Sequence, residues 1–352
     1  MKKIIALICV LTMAFGLTAC GASDAAKEVE AAGVTTEATT EAATETTTEA
    51  AEAITEVTIQ SYNGKKELTD LTVPYDPQRI AVIDMPALDI LDALGLGDRI
   101  VGSAKVTIEY LKQYNPDDSE GKILNLGSVK TADLEQVAAS APEVIFIGGR
   151  LAESYDALSE IAPVVYLGVD YEKGILQSTE DNARTIATIF GLEDKVDVIM
   201  EGFQSRIDAL KEVINGKEVL LGMYNNNAMS LMGTNSQLNI IANELGAANL
   251  GDSVGEIEKP AHGDDASWET IISLDPEYLF VLDRSTATGA AEEGILGAAE
   301  VIENDLIKEL DVYKEGKIVY FIEHANVWYT STGGVQAMDT MLSDLEGALL
   351  NQ

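Results

Sequence analysis

Two arginines end matching segments that lie 134 residues apart in the chain. Segments 134–150 and 268–284 share Glu, Pro, Glu and Arg in one register, and they end at Arg150 and Arg284. Each has the pattern of a short helix, a Pro-Glu turn and a continuous apolar run, which is typical of a strand buried on both faces of a parallel sheet. Ligands of open α/β sheets bind beyond the carboxyl ends of such strands. We therefore expect both arginines to meet a ligand.

The surrounding sequence alternates between strand and helix patterns. Apolar strand-like runs lie at 80–83, 164–167, 219–223 and 317–321, and helical patterns lie at 87–94, 238–245 and 335–349. Residues 174–215 are helical in pattern and are interrupted at Gly191. The sequence therefore predicts an α/β fold with two lobes of mainly parallel sheet joined by a single long helix. The predicted bounds are 57–173 for the N-terminal lobe, 174–191 for the connecting helix and 192–352 for the C-terminal lobe.

The composition excludes several classes of protein. The chain has 352 residues, 46% of them hydrophobic, with 59 acidic against 23 basic side chains and a formal net charge of −36. That length and apolar fraction suit a folded body of two lobes and exclude global disorder. The acidic balance excludes a generic nucleic-acid binder, which needs basic surface facing phosphates. With two histidines, His262 and His324, the chain cannot assemble a zinc or manganese site of several His ligands.

Motifs of covalent catalysis are missing from the sequence. It contains no phosphate-cradling Gly-rich loop with Lys-Ser/Thr, no Gly-x-Ser-x-Gly elbow and no Cys nucleophile in the exported body. We therefore expect a binding protein and not an enzyme. A surface enzyme acting on an anionic substrate, with His262 as general base and Asp264 or Asp265 orienting it, stays as an alternative.

The first residues have the pattern of an export signal, predicted at 1–20. A Lys2-Lys3 start and an apolar run lead to Leu17-Thr18-Ala19-Cys20, which looks like a bacterial lipobox with Cys20 as the lipidated residue. Residues 21–56 are rich in Thr, Glu and Ala and have no aromatic residue, so they predict a disordered tether. We expect an exported protein that a lipid anchors to the outer face of the cytoplasmic membrane, beside a membrane partner.

Several motifs together indicate a family. In chain order they are the segment 89–96, Gly149-Arg150, Ala261-His262-Gly263, the segment 275–284 and Trp328-Tyr329. With them the chain resembles, over roughly residues 70–350, the substrate-binding lipoproteins of bacterial iron–siderophore ABC importers, the type with a helical backbone between two lobes. Within that family it is most similar to binders of catecholate siderophores, such as enterobactin fragments and petrobactin. The resemblance implies a class III periplasmic-binding-protein fold that captures a ferric siderophore between the lobes and delivers it to a permease.

The resemblance also implies ligand-binding residues in the cleft. Catecholate binders carry basic residues at the two strand ends and a lysine 20 residues before the first, where this chain has Lys130. In some relatives a His and a Tyr fill open iron positions, which implies His262 and Tyr329 as iron(III) ligands here. A phenolate oxygen suits a hard cation of this kind. A capping histidine and a tyrosine packed on the cleft wall are the alternatives.

Further residues depart from the family pattern or serve other partners. Gln237 stands where relatives have a third arginine, so the pocket suits a less anionic complex. Tyr224 and the run Asn225-Asn226-Asn227 are expected to rim the cleft, either as polar contacts or as a plain loop. Glu135 and Glu269 are implied to dock onto arginines of the permease.

The ligand and partners follow from the same resemblance. Iron(III) is expected to arrive within the siderophore, with no intrinsic cofactor, and the protein is expected to act as a monomer. A same-fold binder of haem or cobalamin is the main alternative, although those ligands favour an apolar, aromatic cleft over two strand-end arginines.

Overall fold

The structure, a computed structural model, describes residues 54–254, 264–265, 267–289 and 295–350. The predicted signal at 1–20, the lipidated Cys20 and nearly all of the predicted tether lie outside these residues, as does His262. In the part of the chain that is described, no helix has both the length and the apolar character needed to cross a bilayer.

The N-terminal half is built on a parallel sheet. Its strands are β1 (Glu56–Tyr62), β2 (Leu68–Pro74), β3 (Ile80–Val82), β4 (Ile100–Ser103), β5 (Leu124–Asn125), β6 (Gly127–Ser128), β7 (Thr131–Ala132), β8 (Val144–Ile147) and β9 (Val164–Tyr166). The main sheet has the order β5-β4-β3-β8-β9, and each pair of neighbours is parallel. β6 and β7 form a small antiparallel hairpin.

An antiparallel hairpin of β1 and β2 precedes this sheet. The sequence analysis did not predict it, and β1 begins at Glu56, the last residue assigned to the tether. Ile59 and Val73 are buried beneath the hairpin. Ser61 Oγ accepts a hydrogen bond from the Tyr166 N–H at 2.9 Å, which ties β1 to β9.

The helices of this half are short. They are α1 (Met85–Ala93), α2 (Leu134–Ala139) and α3 (Tyr155–Ser159), with 3₁₀ turns at Gly97–Arg99, Glu109–Tyr114 and Gly149–Ser154. Asp84 caps α1 by accepting the Ala87 N–H at 3.1 Å, as expected of an aspartate just before a helix. Gly95, with φ of +80°, follows the end of α1 in a conformation that favours glycine.

Two long helices connect the halves. α4 (Ile175–Phe190) ends at Gly191, whose φ of +64° stops it, and α5 (Glu193–Ile214) follows. Apolar residues at helical spacing, among them Ile186 and Ile207, are buried. α4 contacts α1 and β1 of the N-terminal half, and α5 packs on α4 and on the C-terminal helix of residues 335–349.

The C-terminal half holds a second sheet. Its strands are β10 (Glu218–Asn225), β11 (Ala228–Leu231), β12 (Ala248–Asn249), β13 (Asp264–Asp265), β14 (Tyr278–Asp283) and β15 (Ile318–Phe321). Its helices are α6 (Asn239–Asn243), α7 (Trp268–Leu274), α8 (Arg284–Thr288), α9 (Ala298–Ile302), α10 (Asp311–Lys314), α11 (Ala325–Thr330) and α12 (Val335–Leu349), with 3₁₀ turns at Leu250–Ser253 and Ile307–Glu309. The sheet order is β13-β11-β10-β14-β15, with β12 beside β10.

Strand directions in this sheet are mixed. β10 runs parallel to β12 and β14, and β14 runs parallel to β15, whereas β11 returns antiparallel to β10. The β10–β11 hairpin was not predicted. The fold class is confirmed: two halves with mainly parallel sheets are joined through a helical connection.

α12 returns to the N-terminal half and packs on α1, α4 and α5. Asp89 of α1 accepts the N–H groups of Gln336 and Ala337 at 2.8 and 3.0 Å, so a side chain from one half caps a helix that follows the other. The stretch between α11 and α12 is fixed as well, because Asn182 of α4 donates to the Gly333 carbonyl at 3.3 Å.

Candidate functional site

Arg284 lies at the junction of a buried strand and a short helix. It follows β14 and opens α8, which Asp283 caps by accepting the Thr286 N–H at 3.0 Å. Its Nε donates to the Tyr329 hydroxyl at 2.8 Å, and its Nη1 donates to Asn225 Oδ1 at 2.8 Å. The guanidinium carbon lies 5.4 Å from the centre of the Tyr329 ring. These contacts fix the direction of a half-buried cation.

Arg150 reaches the same ring from the other half. It lies in the 3₁₀ turn Gly149–Ser154 that follows β8, and it is exposed. Its guanidinium carbon lies 5.8 Å from the Tyr329 ring centre. A cation over a tyrosine face gains about 0.5–1 kcal/mol at an exposed site. The two strand-end arginines of the repeated segments therefore converge on one tyrosine.

The packing of α11 holds Tyr329 in place. Its neighbour Trp328 is fully buried and stacks on Phe321 of β15, with ring centres 4.1 Å apart. Trp328 Nε1 also donates to Asp344 of α12 at 2.8 Å. Only 7% of the surface of Tyr329 is exposed to solvent, so the packing around its ring holds it in place next to both guanidinium groups.

A cavity of about 310 Å³ lies between the halves beside α8 and α11. Thr107 lines it from the N-terminal half, and Thr286, Thr288 and Asn326 line it from the C-terminal half. Asn326 Nδ2 donates to the Thr107 carbonyl at 2.9 Å, so a hydrogen bond bridges the halves at this edge. The carboxylate of Glu323 also lines this cavity, whereas Arg150, Arg284 and Tyr329 do not line it.

The two converging arginines differ from the structural ones in their partners. Arg99 pairs with Asp76, and ion pairs likewise hold Arg184 and Arg206 to carboxylates. Within the described ranges, no carboxylate lies at ion-pair distance from Arg150 or Arg284. In a chain with a net charge of −36, the positive charges of Arg150 and Arg284 are therefore available to attract an anionic ligand.

The half-buried carboxyl group of Asp84 lies within electrostatic reach of Arg150. Burial raises the pKa of Asp84 to about 6, while the bond from Ala87 and the charge of Arg150 act in the opposite direction. A β-carbon at Gly148 would collide with this carboxyl group, so glycine is needed there for the close approach. The sequence analysis did not single out Asp84, although an aspartate two residues before Pro86 is a helix-start signal.

Tyr171 is a second residue that the sequence analysis missed. Burial raises its pKa to about 12, Arg150 lowers that pKa, and Tyr329 raises it further. It therefore lies within electrostatic reach of both site residues. No motif or spacing marks it, because it joins the site only through the fold.

Lys130 and Gln237 lie in loops of the two halves. Lys130 is exposed in the turn between β6 and β7, and β7 contacts the 3₁₀ turn that carries Arg150. Gln237 precedes α6 and is half-buried. Its Oε1 is closed off from solvent without a hydrogen-bond partner among the residues described. Among the described residues, neither Lys130 nor Gln237 forms a hydrogen bond or ion pair with Arg150, Arg284 or Tyr329.

Tyr224 does not rim the cleft, so that prediction is corrected. Its side chain is fully buried in the core of the C-terminal half. Its hydroxyl donates to the Leu296 carbonyl at 2.5 Å and to Asn227 Oδ1 at 3.0 Å. Both the ring and the hydroxyl are occupied within the protein, so Tyr224 shapes the hairpin and not a ligand surface.

Glu135 and Glu269 occupy equivalent, exposed positions. Each lies in the first turn of its helix, α2 or α7. Asp133 caps α2 by accepting the Gln136 N–H at 3.1 Å, and Ser267 caps α7 in the same way at 3.2 Å. The remaining predicted metal ligand, His262, lies outside the described residues, so its distance from Tyr329 is not defined.

Known proteins resemble this chain in sequence. The family model for periplasmic binding proteins matches residues 80–324. The petrobactin-binding protein YclQ of Bacillus subtilis is 34% identical over 280 residues, which cover 79% of this chain and 84% of that protein. The ferric-anguibactin-binding protein FatB of Vibrio anguillarum is 24% identical over 277 residues, which cover 76% of this chain and 81% of that protein.

Solved structures agree with these matches. The crystal structure of YclQ aligns with a TM-score of 0.71 at 32% identity and covers 83% of this chain and 98% of that one. The catecholate-siderophore binding protein VctP from Vibrio cholerae aligns with a TM-score of 0.71 at 27% identity and covers 83% of this chain and all of that one. The chain therefore belongs to the periplasmic binding protein family.

Proposed function

We propose that this protein is the extracytoplasmic substrate-binding component of an ABC importer and captures a ferric siderophore, of catecholate type, between its two halves. The observation that carries the proposal is the convergence of Arg150 and Arg284, one from each sheet, on the ring of Tyr329. Three similar proteins are binding proteins for petrobactin, ferric anguibactin and catecholate siderophores, respectively. These relatives are binding proteins, and we propose that this chain likewise performs no catalysis.

The charge of the site suits such a ligand. A ferric catecholate complex is an anion wrapped in oxygen acceptors, and arginine presents several donors in a planar head to acceptors of this kind. Neither converging arginine forms an ion pair with a carboxylate within the described chain. A hydrogen bond to a charged group contributes about 1.5–3 kcal/mol, so two such clamps give the site much of its affinity.

Tyr329 and His262 are the proposed iron ligands. The Tyr329 oxygen accepts one hydrogen bond, from Arg284 Nε at 2.8 Å, and an oxygen ligand of this kind suits a hard cation such as iron(III). Lys130 is proposed to add a cation from the β6–β7 turn. Gln237 is proposed to supply an amide in place of a third arginine.

The partner is proposed to be a permease of the cytoplasmic membrane. The exposed Glu135 and Glu269 occupy matching first turns, which gives the two halves one acidic docking point each. Lipidation of Cys20 would keep the body close to that membrane, and the protein would act there as a monomer.

A fluorescence titration tests the proposal. Trp328 adjoins Tyr329, so a coloured ferric complex over the tyrosine should quench its emission. We expect tight binding of ferric catecholates, no turnover of the ligand, and little response to haem or cobalamin. Arg150→Gln and Arg284→Gln should each weaken binding by roughly 10- to 100-fold, by the loss of about 1.5–3 kcal/mol.

Arg184→Gln is the matched control, because this arginine is tied to Glu180 and Asp197 on the helical connection. The Arg184→Gln variant should bind the ferric complex with the same affinity as the wild type. Preferential binding of haem or cobalamin, or equal affinity in all three glutamine variants, would refute the proposal.

A further inference from the structure

Arg284 is held by neutral hydrogen-bond acceptors. Its Nε donates to the Tyr329 hydroxyl and its Nη1 donates to Asn225 Oδ1, both at 2.8 Å. Carboxylates hold three other arginines, as in the pairs of Arg99 with Asp76 and Arg206 with Glu346, whereas Arg79 donates to backbone carbonyls. An amide acceptor orients a guanidinium group without cancelling its charge, whereas a carboxylate does both.

The hairpin between β10 and β11 places this amide accurately. Asn225 is the last residue of β10, and the next two asparagines turn the chain with φ of +49° and +66°. The Asn226 N–H donates to Ser285 Oγ at 2.9 Å, which fastens the turn to the first turn of α8. Asn227 Oδ1 accepts the Leu296 N–H at 3.0 Å on the far side. Asn225 therefore belongs to a rigid turn clamped against the helix that Arg284 opens.

We infer that Asn225 is a positioning residue that aims Arg284 at the cleft through a neutral acceptor and thereby leaves the positive charge of Arg284 available to attract an anionic complex. The inference rests on the proposed capture of a ferric siderophore by the same site. An aspartate at this position would keep the acceptor and the shape of the side chain but would pair with Arg284. The positive charge of Arg284 would then be neutralised within the protein.

Two isosteric variants distinguish the effect of a carboxylate in contact with Arg284 from the effect of one added negative charge on the protein. Asn225→Asp adds a carboxylate to the atom that Arg284 contacts. Asn226→Asp adds the same charge one residue away, where the side chain accepts from Ser285 Oγ at 3.3 Å instead. Both variants can retain their hydrogen bonds, so a difference between them reports the pairing with Arg284.

The probes are a triply negative ferric tris-catecholate complex and a singly negative ferric bis-catecholate complex. We expect Asn225→Asp to weaken binding of the tris complex by roughly tenfold or more and of the bis complex by clearly less, because the lost attraction scales with ligand charge. Asn226→Asp should weaken either by less than about threefold. Equal affinities of Asn225→Asp and wild type, or equal losses in the two variants, would overturn the inference.

A readout without ligand tests the positioning itself. The Arg284 Nε–H signal in a ¹H–¹⁵N spectrum, assigned through its loss in Arg284→Lys, should broaden or shift in Asn225→Ala and stay sharp in Asn225→Asp. An unchanged signal in Asn225→Ala would overturn the positioning role. If the wild type bound neither complex, the proposed function would fail, while this signal would still decide whether Asn225 orients Arg284.

Discussion

The buried carboxyl group of Asp89 is expected to contribute stability that decreases as the pH rises. Asp89 lies in α1 with no exposed surface, and it accepts hydrogen bonds from the Tyr110 hydroxyl at 2.6 Å and from Gln336 and Ala337 of α12. Burial raises its pKa from 3.8 to about 7, although these three hydrogen bonds act in the opposite direction. The group therefore binds a proton more tightly in the folded state than in the unfolded state.

The sign and size of the effect follow from this difference. A raised folded-state pKa contributes stability that is fully present below about pH 4 and is lost as the pH rises through about 7. One pKa unit corresponds to about 1.36 kcal/mol, so a rise from 3.8 to about 7 corresponds to about 4 kcal/mol. That is a large fraction of the 5–15 kcal/mol that is typical of a folded domain.

Asp89→Asn removes this titration, and urea unfolding between about pH 4 and pH 8 measures it. The variant loses at least one hydrogen bond at the start of α12, at a cost of about 1–3 kcal/mol at low pH. The difference in unfolding free energy between the wild type and Asp89→Asn should then change by about 4 kcal/mol in favour of the variant between pH 4 and pH 8. General charge repulsion cancels in this comparison, because it acts on both proteins.

Asn182→Ala is the control without a titrating group, because it removes only the hydrogen bond from Asn182 to the Gly333 carbonyl just before α12. The difference in unfolding free energy between this variant and the wild type should stay constant over the same pH range. A difference between wild type and Asp89→Asn that is independent of pH would refute the reasoning.

Three further predictions concern the site and its partner. Tyr329→Phe should shift the charge-transfer band of the bound ferric complex, and an unchanged spectrum would exclude iron ligation by Tyr329. The double variant Glu135→Arg/Glu269→Arg should abolish siderophore uptake by cells, because both charges are proposed to contact the permease. The affinity of the purified protein for the ferric complex should stay within about twofold of the wild type. Undiminished uptake would exclude the docking role of these two residues. Gly148→Ala should destabilise the fold by about 1–3 kcal/mol in thermal unfolding, because the added carbon collides with the Asp84 carboxyl group, and an unchanged melting temperature would contradict that contact.

Much of the framework was predictable because local patterns determine it. The continuous apolar runs before Arg150 and Arg284 form the buried strands β8 and β14. α12 spans 335–349 as its helical spacing predicts, and a left-handed Gly191 ends α4. The two sheets follow from the alternation of strand and helix patterns.

The placement of individual side chains was harder to predict. β10 is buried on both faces, so the usual alternation does not show which way Tyr224 points. The β10–β11 hairpin carries a readable signal, since Asn226 and Asn227 adopt the positive φ that asparagine tolerates, but the strand after it is only four residues long.

Other features depend on contacts between distant parts of the chain. The β1–β2 hairpin lies at the edge of a Thr/Glu/Ala-rich segment and is held by Tyr166, about a hundred residues away. Tyr171 meets Arg150 and Tyr329 only in the folded chain. Repetition of a segment therefore located the two arginines of the site and the family resemblance indicated Tyr329, whereas Tyr171 became apparent only in the structure.

A crystal structure of the protein with a ferric catecholate siderophore tests the central claim most directly. The account predicts iron-complex density between the two halves, with the guanidinium groups of Arg150 and Arg284 on its oxygen atoms and Tyr329 directly beneath it. Density at any other surface, with both guanidinium groups turned into bulk water, would contradict it.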